Sequence, residues 1–225
     1  MTDTPLLKLH ALRYTWPGST DPIVLPNLTI NQGEKVFLYG PSGSGKSTLL
    51  ALVGGLVKPD RGEVWFGGTR LDQMSGRQRD RFRADHLGII FQQFNLLPWL
   101  DVRSNVALPC RFSKLRAQRA GDIHKAVDAL LMGMDLESVL WSKRADALSV
   151  GQQQRVAAAR ALIGQPDLIL ADEPTSALDL DRRTQFIDLL FKQVHLSGST
   201  LLFVSHEQDL ASRFDRQLSL GEVGV

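Results

Sequence analysis

The sequence has few of the features that mark secreted, membrane-spanning or strongly basic proteins. One cysteine, Cys110, in 225 residues excludes an internal disulfide framework and permits a reduced cytosolic setting. The net charge of +2 is too small to indicate nucleic-acid binding by itself, and we expect no nucleic-acid partner. No apolar run approaches the roughly 18 residues that a membrane span needs, and residues 1–5 do not resemble a signal peptide. If this protein acts at a membrane, it must do so through a partner.

Short apolar runs alternate with helical patterns at both ends of the chain. They predict strands at 7–16, 23–30, 36–39, 87–91, 168–171 and 200–204, and a hairpin around Gly67-Gly68. Helical patterns dominate from about 101 to 164, at 102–108, 115–132 and 152–163, and another is predicted at 180–195. We therefore expect an α/β fold with a mostly parallel sheet. A single domain over 1–225 would have a core of about 1–92 and 165–225 and a helical subdomain of about 93–164.

A glycine-rich loop follows the apolar run at 36–39 and precedes a helical pattern at 46–53. Its spacing is that of a phosphate-binding loop, in the text Gly40-Pro41-Ser42-Gly43-Ser44-Gly45-Lys46-Ser47. The glycines allow backbone angles that aim several N–H groups at phosphate oxygens, helped by the N-terminus of the next helix. We predict that this loop and Thr48 bind a nucleotide, with Lys46 reaching the β- and γ-phosphates and Ser47 holding Mg²⁺. The loop alone does not distinguish a kinase from an ATPase.

Two carboxylates, Asp172 and Glu173, follow the apolar run at 168–171. The C-terminal ends of strands form the edge of an open α/β sheet where ligands bind. Two carboxylates there are costly to bury unless they meet a cation or do chemistry. Beside a phosphate loop, we predict that Asp172 binds Mg²⁺ and that Glu173 orients or deprotonates the attacking water. The alternative is an acidic cap on the next helix.

The segment 148–155 resembles the signature of ATP-binding-cassette (ABC) ATPases, whose usual text is LSGGQ; here it reads Leu148-Ser149-Val150-Gly151-Gln152-Gln153-Gln154-Arg155. The resemblance covers nearly the whole chain when it is taken together with Gln92, Ser176-Ala177-Leu178-Asp179 and His206. Ser149 is also a suitable N-cap for the following helix, whose first N–H groups could bind an anion. Val150 replaces the first glycine of the family text, and its β-branched side chain narrows the allowed conformations, which bears on the hydrolysis rate.

The resemblance implies a P-loop NTPase core with an N-terminal antiparallel β subdomain and an inserted helical subdomain. It also implies ATP and Mg²⁺ as cofactors, and a head-to-tail dimer of two copies around two ATP molecules. In that dimer Ser149, Gly151 and Gln152 would face the γ-phosphate held by the other subunit, and Asp179 would line the interface. Gln92 would contact Mg²⁺ and the attacking water, although the adjacent Gln93 stays open as the true residue. His206 would donate to the γ-phosphate.

The family also has an aromatic residue near the N-terminus that stacks on adenine. Tyr14 and Trp16 both fit because they are two residues apart on the predicted strand. We favour Trp16, which lies next to the Pro17-Gly18 turn, and either residue could instead be strand packing. Base stacking of this kind is worth roughly 1–3 kcal/mol and does not depend on the identity of the base.

An apolar cluster and two basic runs accompany these motifs. The stretch 89–109 resembles the branch that includes lipoprotein-release, macrolide-efflux and cell-division ABC ATPases. A groove for a permease helix is expected there, although Leu96 and Leu97 fit a core position equally well; the cluster is Phe94, Leu96, Leu97, Pro98 and Trp99. The basic runs are interpreted as solvated helix faces in preference to lipid-binding surfaces; they are Arg77, Arg79, Arg81 and Arg83, and Arg111, Lys114, Arg116 and Arg119.

These motifs predict the ATP-hydrolysing subunit of an ABC transporter. It would lie at the cytoplasmic face of the inner membrane and drive a separate transmembrane permease, to which a periplasmic adaptor could be added. The cargo would be a lipid, lipoprotein, drug or peptide. The alternative is an envelope-signalling ABC ATPase that regulates its membrane partner without transport. DNA-repair and translation ATPases of this family fit less well because the chain has one cassette, no long coiled-coil insertion and no zinc-spaced cysteines.

Overall fold

The computed structural model describes residues 5–41 and 43–220, which divide into two compact units. One unit comprises the chain up to Arg83 together with the segment from Leu202 onward, and the other runs from Ala84 to Leu201. Both boundaries fall inside elements: one in helix α2 (Gly76–His86) and the other in strand β9 (Thr200–Val204). The predicted boundaries at residues 92 and 165 separate a core from a helical subdomain. This is a different division from the two units, and it stays a prediction.

The first unit contains an antiparallel sheet in the order β2-β1-β5-β6, with β3 also paired to β1. These strands are β1 Leu7–Tyr14, β2 Ile23–Val24, β3 Leu28–Ile30, β5 Arg61–Phe66 and β6 Thr69–Arg70. The predicted hairpin is confirmed, because Gly67 and Gly68 both adopt positive φ between β5 and β6. The predicted strand 7–16 is shorter than expected and ends at Tyr14.

The same unit contains the phosphate-loop strand and helix. Strand β4 (Lys35–Tyr39) pairs in parallel with β10 (Arg216–Ser219), and Ser205, just after β9, donates its N–H to Leu38 of β4. Helix α1 (Lys46–Val53) has the predicted bounds. An aromatic cluster buries this side of the unit, with ring centroids of Phe37, Phe203 and Phe214 lying 5.1–6.0 Å apart. Strand β10 was not predicted from the sequence.

The second unit packs helices around a parallel strand pair. Strand β7 (Leu87–Ile90) pairs in register with β8 (Leu168–Asp172), and Thr200 at the start of β9 donates its N–H to Asp167. The helices are α3 Val102–Phe112, α4 Lys114–Ala120, α5 Ile123–Gly133, α6 Val150–Leu162 and α7 Leu180–Ser197. A β-carbon at Gly88 would lie 2.2 Å from the carbonyl oxygen of Ala161, so this glycine lets α6 approach β7 closely.

Two helix predictions need correction. The pattern at 115–132 is two helices, because Gly121 adopts φ 64° and Asp122 caps a new helix by accepting the N–H of Lys125. The pattern at 102–108 continues to Phe112, through Pro109. The helical pattern of the sequence continues across the break and so does not reveal it.

The basic runs are only partly the solvated faces that were predicted. Arg79 and Arg83 instead donate to the carbonyls of Gly54 and Gly55 at the end of α1, at 3.0–3.3 Å. These carbonyls have no partner inside the helix, so the two side chains cap its C-terminus. The other two arginines of the first run are exposed as predicted; they are Arg77 and Arg81.

Arg116 departs furthest from its prediction, because it is buried. Its guanidinium donates to the carbonyls of Leu87, Ala161 and Ile163 at 3.1, 2.6 and 2.8 Å, and so joins α4 to the start of β7 and the end of α6. Burial lowers the pKa of Arg116 to about 10, which leaves the group charged at neutral pH. This role could not be predicted from the sequence, because Arg116 lies among other basic residues.

Asp167, in the same unit as Arg116, makes hydrogen bonds with two side chains. Its carboxylate oxygens lie 2.6 Å from His86 Nδ1 and 3.3 Å from an Arg119 nitrogen. Burial alone would raise the pKa of Asp167, but the hydrogen bonds from His86 and Arg119 outweigh it and hold the pKa below its usual value. The ionised form is therefore favoured in the folded chain.

We expect Asp167→Asn to lower the free energy of unfolding by about 1 kcal/mol at pH 7. A carboxyl with a depressed pKa stabilises the fold above the pKa of the unfolded chain, so the difference should shrink as the pH falls below about 4. Urea unfolding at several pH values measures it. Asp146→Asn, in the exposed pair with Arg144, is the matched control and should change little. A difference for Asp167→Asn that does not depend on pH would contradict the assigned cause.

Candidate nucleotide site

The phosphate loop has the backbone that its sequence predicts. Gly43 and Gly45 adopt φ of 82° and 91°, and Gly45 is the N-cap of α1. A β-carbon at Gly40 would lie 2.7 Å from Ser44 Oγ and 2.8 Å from a backbone oxygen, so the loop needs glycine there. Ser42 was also predicted to bind nucleotide and lies outside the described residues.

The polar groups of this loop fit an anionic ligand. Ser44 Oγ is buried and makes no hydrogen bond to the residues that the structure describes, which leaves a hydroxyl donor inside the described part of the loop. Lys46 Nζ donates to the carbonyls of Gly40 and Pro41 at 2.6 and 2.8 Å, which holds its ammonium at the loop. The first N–H groups of α1 have no partner inside the helix. A phosphate would satisfy the serine hydroxyl and these N–H groups together.

Trp16 lies beyond the end of β1 and not on it as predicted. Its indole Nε1 donates to Thr48 Oγ1 at 2.9 Å, and its ring meets that of Tyr14 edge to face at 5.1 Å between centroids. Trp16 is 40% exposed, whereas Tyr14 is 8% exposed. Exposure favours Trp16 over Tyr14 as the residue that stacks on a base, because a buried ring has no face to offer.

His206 also belongs to the first unit. It is exposed and comes two residues after the end of β9. The backbone around it is held in place, since Ser205 donates its N–H to Leu38 and its hydroxyl accepts the N–H of Glu207 at 3.1 Å. The backbone that carries the exposed imidazole is thus held at the end of a buried strand.

Asp172 and Glu173 lie where β8 ends. Asp172 is the last residue of the strand, and both side chains are half-buried. Glu173 adopts φ 43°, a conformation that costs a non-glycine residue energy and that recurs at functional sites. The following Pro174 accepts a hydrogen bond from the buried amide of Gln154 on α6. The turn that carries the carboxylates is therefore attached to the helix that follows the signature segment.

Gln92 and Gln93 are both exposed, two and three residues after the end of β7. The chain beyond them is fixed by Arg160 of α6, which donates to the carbonyls of Phe94 and Asn95 at 2.5 and 2.6 Å. Since neither glutamine side chain is distinguished by burial, the choice of Gln92 stays a prediction.

The apolar cluster after Gln92 divides between core and surface. Phe94 is buried, Leu96 and Leu97 are half-buried, and Trp99 is 63% exposed. Asn105 fixes this segment from α3, because its buried amide accepts the N–H of Leu97 and donates to its carbonyl at 2.8 and 3.0 Å. Phe94 is therefore unable to contribute to a surface groove, while Trp99 can.

The signature segment opens α6 with a reciprocal cap. Ser149 is the N-cap as predicted: its Oγ accepts the N–H of Gln152, and Gln152 Oε1 accepts the N–H of Ser149 at 2.9 Å. Val150, the first helical residue, is 49% exposed. Gly151 faces Leu178, whose nearest atom would lie 4.0 Å from an added β-carbon. Asp179 caps α7 by accepting the N–H of Arg182.

A recess of about 400 Å³ opens beside this capped turn. Its lining includes Ser149, Gly151 and Gln152 of the signature segment, the basic Arg155 and Arg182, and the acidic Asp135 and Glu137. Both guanidinium groups are already paired with carboxylates, Arg155 with Asp135 at 3.0 Å and Arg182 with Asp179 at 3.4 Å, so the groups that favour an anion here are the N–H groups at the N-terminus of α6. These residues belong to the second unit, and those of the phosphate loop belong to the first.

Comparison with known proteins identifies the class that this fold and these motifs define. The ABC transporter family matches residues 25–176. The chain therefore belongs to the ABC transporter family, as an ATP-binding cassette with ATPase activity, and its P-loop NTPase fold is confirmed.

Individual relatives match over most of their length. The chain is 43% identical over 202 residues to the lipoprotein-releasing system ATP-binding protein LolD of Psychrobacter arcticus, covering 90% of this chain and 88% of that one. It is 38% identical over 223 residues to the ABC transporter ATP-binding protein Rv0986 of Mycobacterium tuberculosis, with coverages of 98% and 88%. The resemblance to the branch that includes lipoprotein-release ATPases is confirmed.

A solved relative shows the assembly of such a cassette. A dimeric, post-hydrolysis structure of the ATP-binding cassette MJ0796, bound to ADP and Pi, superposes with a TM-score of 0.82 at 37% identity. The match covers 95% of this chain and 93% of that one. MJ0796 is a protein of Methanocaldococcus jannaschii. Nucleotide binding and dimer formation are thus properties of a close structural neighbour.

Proposed function

We propose that two copies of this chain close head to tail on two ATP molecules and drive a separate transmembrane permease. The observation that carries the proposal is that the chain has two helix N-termini suited to an anion. One belongs to α1 behind the phosphate loop, and the other belongs to α6 behind the capped signature turn. A head-to-tail pair uses both, because the second terminus of each copy meets the nucleotide held by the first terminus of the other.

ATP binding is assigned to the first unit. The backbone N–H groups of residues 40–47 and the hydroxyl of Ser44 would hold phosphate oxygens. Lys46 would exchange its two carbonyl partners for the β- and γ-phosphates, a stronger charge-assisted contact. Trp16 would stack on adenine with its exposed face.

Hydrolysis is assigned to side chains that can hold a metal ion and a water molecule. Ser47, Gln92 and Asp172 would hold Mg²⁺ through oxygen, the ligand atom that this ion prefers, and bound Mg²⁺ would neutralise charge on the phosphates. Glu173 would orient or deprotonate the attacking water, and His206 would donate to the γ-phosphate. The strained φ of Glu173 supports its role, since strain of this kind collects at functional sites.

The trans contacts are assigned to the second unit. Ser149, Gly151 and Gln152 would meet the γ-phosphate bound to the partner copy, and Asp179 would lie at the interface near it. The capping box supports this because it orders the first turn of α6; it uses the N–H groups of Ser149 and Gln152, and those of Val150 and Gly151 would face the anion.

The membrane partner is assigned from the surface beyond Gln92. None of the helices within the described residues is long and apolar enough to cross a membrane. We place the dimer at the cytoplasmic face of the inner membrane, bound to a permease helix through the exposed Trp99 and the half-buried Leu96 and Leu97. The similarity to LolD, an ATP-binding protein of a lipoprotein-releasing system, favours a lipoprotein as cargo over a drug or peptide. We further propose a periplasmic adaptor that is reached through the permease.

Co-purification tests the membrane assignment. Tagged Glu173→Gln is incubated with ATP and Mg²⁺ in detergent-solubilised membranes, and bound proteins are identified by mass spectrometry. A stoichiometric multi-span protein is expected, and Trp99→Ala should lose it while Leu196→Ala, at an equally exposed leucine of α7, retains it. Recovery of the soluble dimer alone, or of a ribosomal or DNA-repair partner, would overturn the assignment. A partner that is bound but moves no cargo in reconstituted vesicles would support the envelope-signalling alternative.

Val150 is expected to limit the hydrolysis rate. Its exposed side chain occupies the first turn of α6, where glycine would let the partner's phosphate come closer to the N–H groups. We predict that Val150→Gly raises the ATPase rate by about two- to tenfold, roughly the effect of one improved hydrogen bond. Val150→Ala, which removes both γ-methyl groups and keeps the β-carbon, should give an intermediate rate in the same assay. Equal rates for all three chains would show that this side chain does not limit turnover.

A further inference from the structure

The indole ring of Trp16 is held in one orientation by two contacts. Its Nε1–H donates to the hydroxyl oxygen of Thr48 at 2.9 Å, and its plane stands at 88° to the buried ring of Tyr14. The backbone on either side is also anchored: Thr15 donates its N–H to Asp60 at 2.8 Å, and Ser19 donates its N–H to the Trp16 carbonyl at 2.9 Å. With the backbone held, the side-chain rotation of the indole remains, and the hydrogen bond to Thr48 fixes it.

Thr48 belongs to the first turn of α1, directly after Lys46 and Ser47, and it is 3% exposed. A buried hydroxyl on a helix behind the phosphate loop is a rigid reference point. Because its oxygen accepts from Trp16, the position of the indole is tied to the element that would hold the phosphates. The predicted contact between Thr48 and the nucleotide stays a prediction; in the structure its hydroxyl oxygen accepts the indole N–H.

We propose that Thr48 is a positioning residue that acts on the nucleotide through Trp16. By accepting the indole N–H, it sets the distance and tilt between the stacking ring and the phosphate loop, so that one ligand can meet both. The proposal rests on the assignment of Trp16 as the adenine-stacking residue. Its physical basis is preorganisation: a ring already fixed in the binding orientation loses little freedom when the base arrives.

The identity of the aromatic residue then has a specific reason. A phenylalanine at position 16 would offer a similar aromatic face but has no N–H to donate. Without the N–H, the ring would keep only its edge contact with Tyr14, and the base would have to order it on binding. Thr48→Val removes the same hydrogen bond from the other side, with nearly the same side-chain shape.

A double-mutant cycle on ADP affinity, measured by isothermal titration calorimetry, tests the proposal without hydrolysis. Thr48→Val and Trp16→Phe should each weaken ADP binding by about three- to tenfold, and the double variant should be no weaker than either one. Thr48→Ser keeps the hydroxyl and should bind ADP as the parental chain does. Thermal unfolding of each variant shows that the fold is kept; if Thr48→Val does not fold, Trp16→Phe and Thr48→Ser still decide the case.

Three outcomes would overturn the proposal. Losses that multiply in the double variant would mean that Thr48 contacts the ligand independently of Trp16. A Thr48→Val chain that also binds inorganic tripolyphosphate more weakly would mean that the hydroxyl meets the phosphates directly, since this probe has no base. Parental affinity in Trp16→Phe would mean that the indole N–H is not needed. Failure of the stacking assignment itself is recognised separately, because Trp16→Ala would then bind ADP normally.

Discussion

Replacement of Glu173 by glutamine is expected to lower the ATPase rate by about 10²- to 10⁴-fold, the usual contribution of a general base. Glutamine keeps the shape of the side chain and the ability to orient water, but it cannot take a proton. ATP binding should persist, because the phosphate loop is unchanged. The variant should therefore accumulate as an ATP-bound dimer, measured by phosphate release and by size-exclusion chromatography with ATP and Mg²⁺.

Glu63→Gln provides the matched control for this result. Glu63 lies on β5, accepts from Arg70 at 2.7 Å and is not one of the residues assigned to ATP. Because such a partly exposed ion pair contributes little to stability, the Glu63→Gln chain should hydrolyse ATP at close to the parental rate. A Glu173→Gln chain that hydrolyses ATP at the parental rate would remove Glu173 from its assigned role and leave the fold and family untouched.

Replacement of Arg116 by leucine is expected to lower the free energy of unfolding by about 3–5 kcal/mol. The guanidinium is buried among the carbonyls of Leu87, Ala161 and Ile163, and leucine would leave all three without this donor. Unsatisfied buried carbonyls are costly because folding has already removed their water. In a chain of 225 residues the melting temperature should fall by about 6–15 °C.

Arg111→Leu is the control for the buried arginine. Arg111 belongs to the same basic run and is exposed, so its replacement should change the free energy of unfolding by less than about 0.5 kcal/mol. Differential scanning calorimetry compares the two variants with the parental chain. Equal melting temperatures for Arg116→Leu and Arg111→Leu would mean that the contacts of Arg116 do not stabilise the fold.

The sequence predicted best those elements whose local chemistry leaves few alternatives. Helix α1 begins and ends at the predicted residues because a glycine turn starts it and the pair Gly54-Gly55 follows it. The hairpin around Gly67-Gly68 and the cap at Ser149 are equally local, since each depends on neighbours a few residues away. The overall fold was predicted from the order of the motifs, because this order identified the family.

What the sequence did not predict depends on contacts between distant residues. Arg116 bonds to carbonyls that lie 29 to 47 positions away, and nothing in its own segment distinguishes it from Arg111. Strand β10 has four residues, most of them polar, so its composition does not indicate a strand. Its pairing with β4 defines it. Trp16 was expected on a strand, and only the fold revealed its bond to Thr48.

The capping box at Ser149 and Gln152 forms within one chain, with residues three positions apart and no contribution from a second copy. The turn that is proposed to meet the partner's nucleotide is thus already ordered before two chains collide. Association would still cost translational and rotational freedom, but it would not also have to fold this turn. Dimer closure should therefore proceed at a rate set by how often two copies encounter each other and by the fraction of copies with nucleotide bound, because the turn at the contact surface is already ordered.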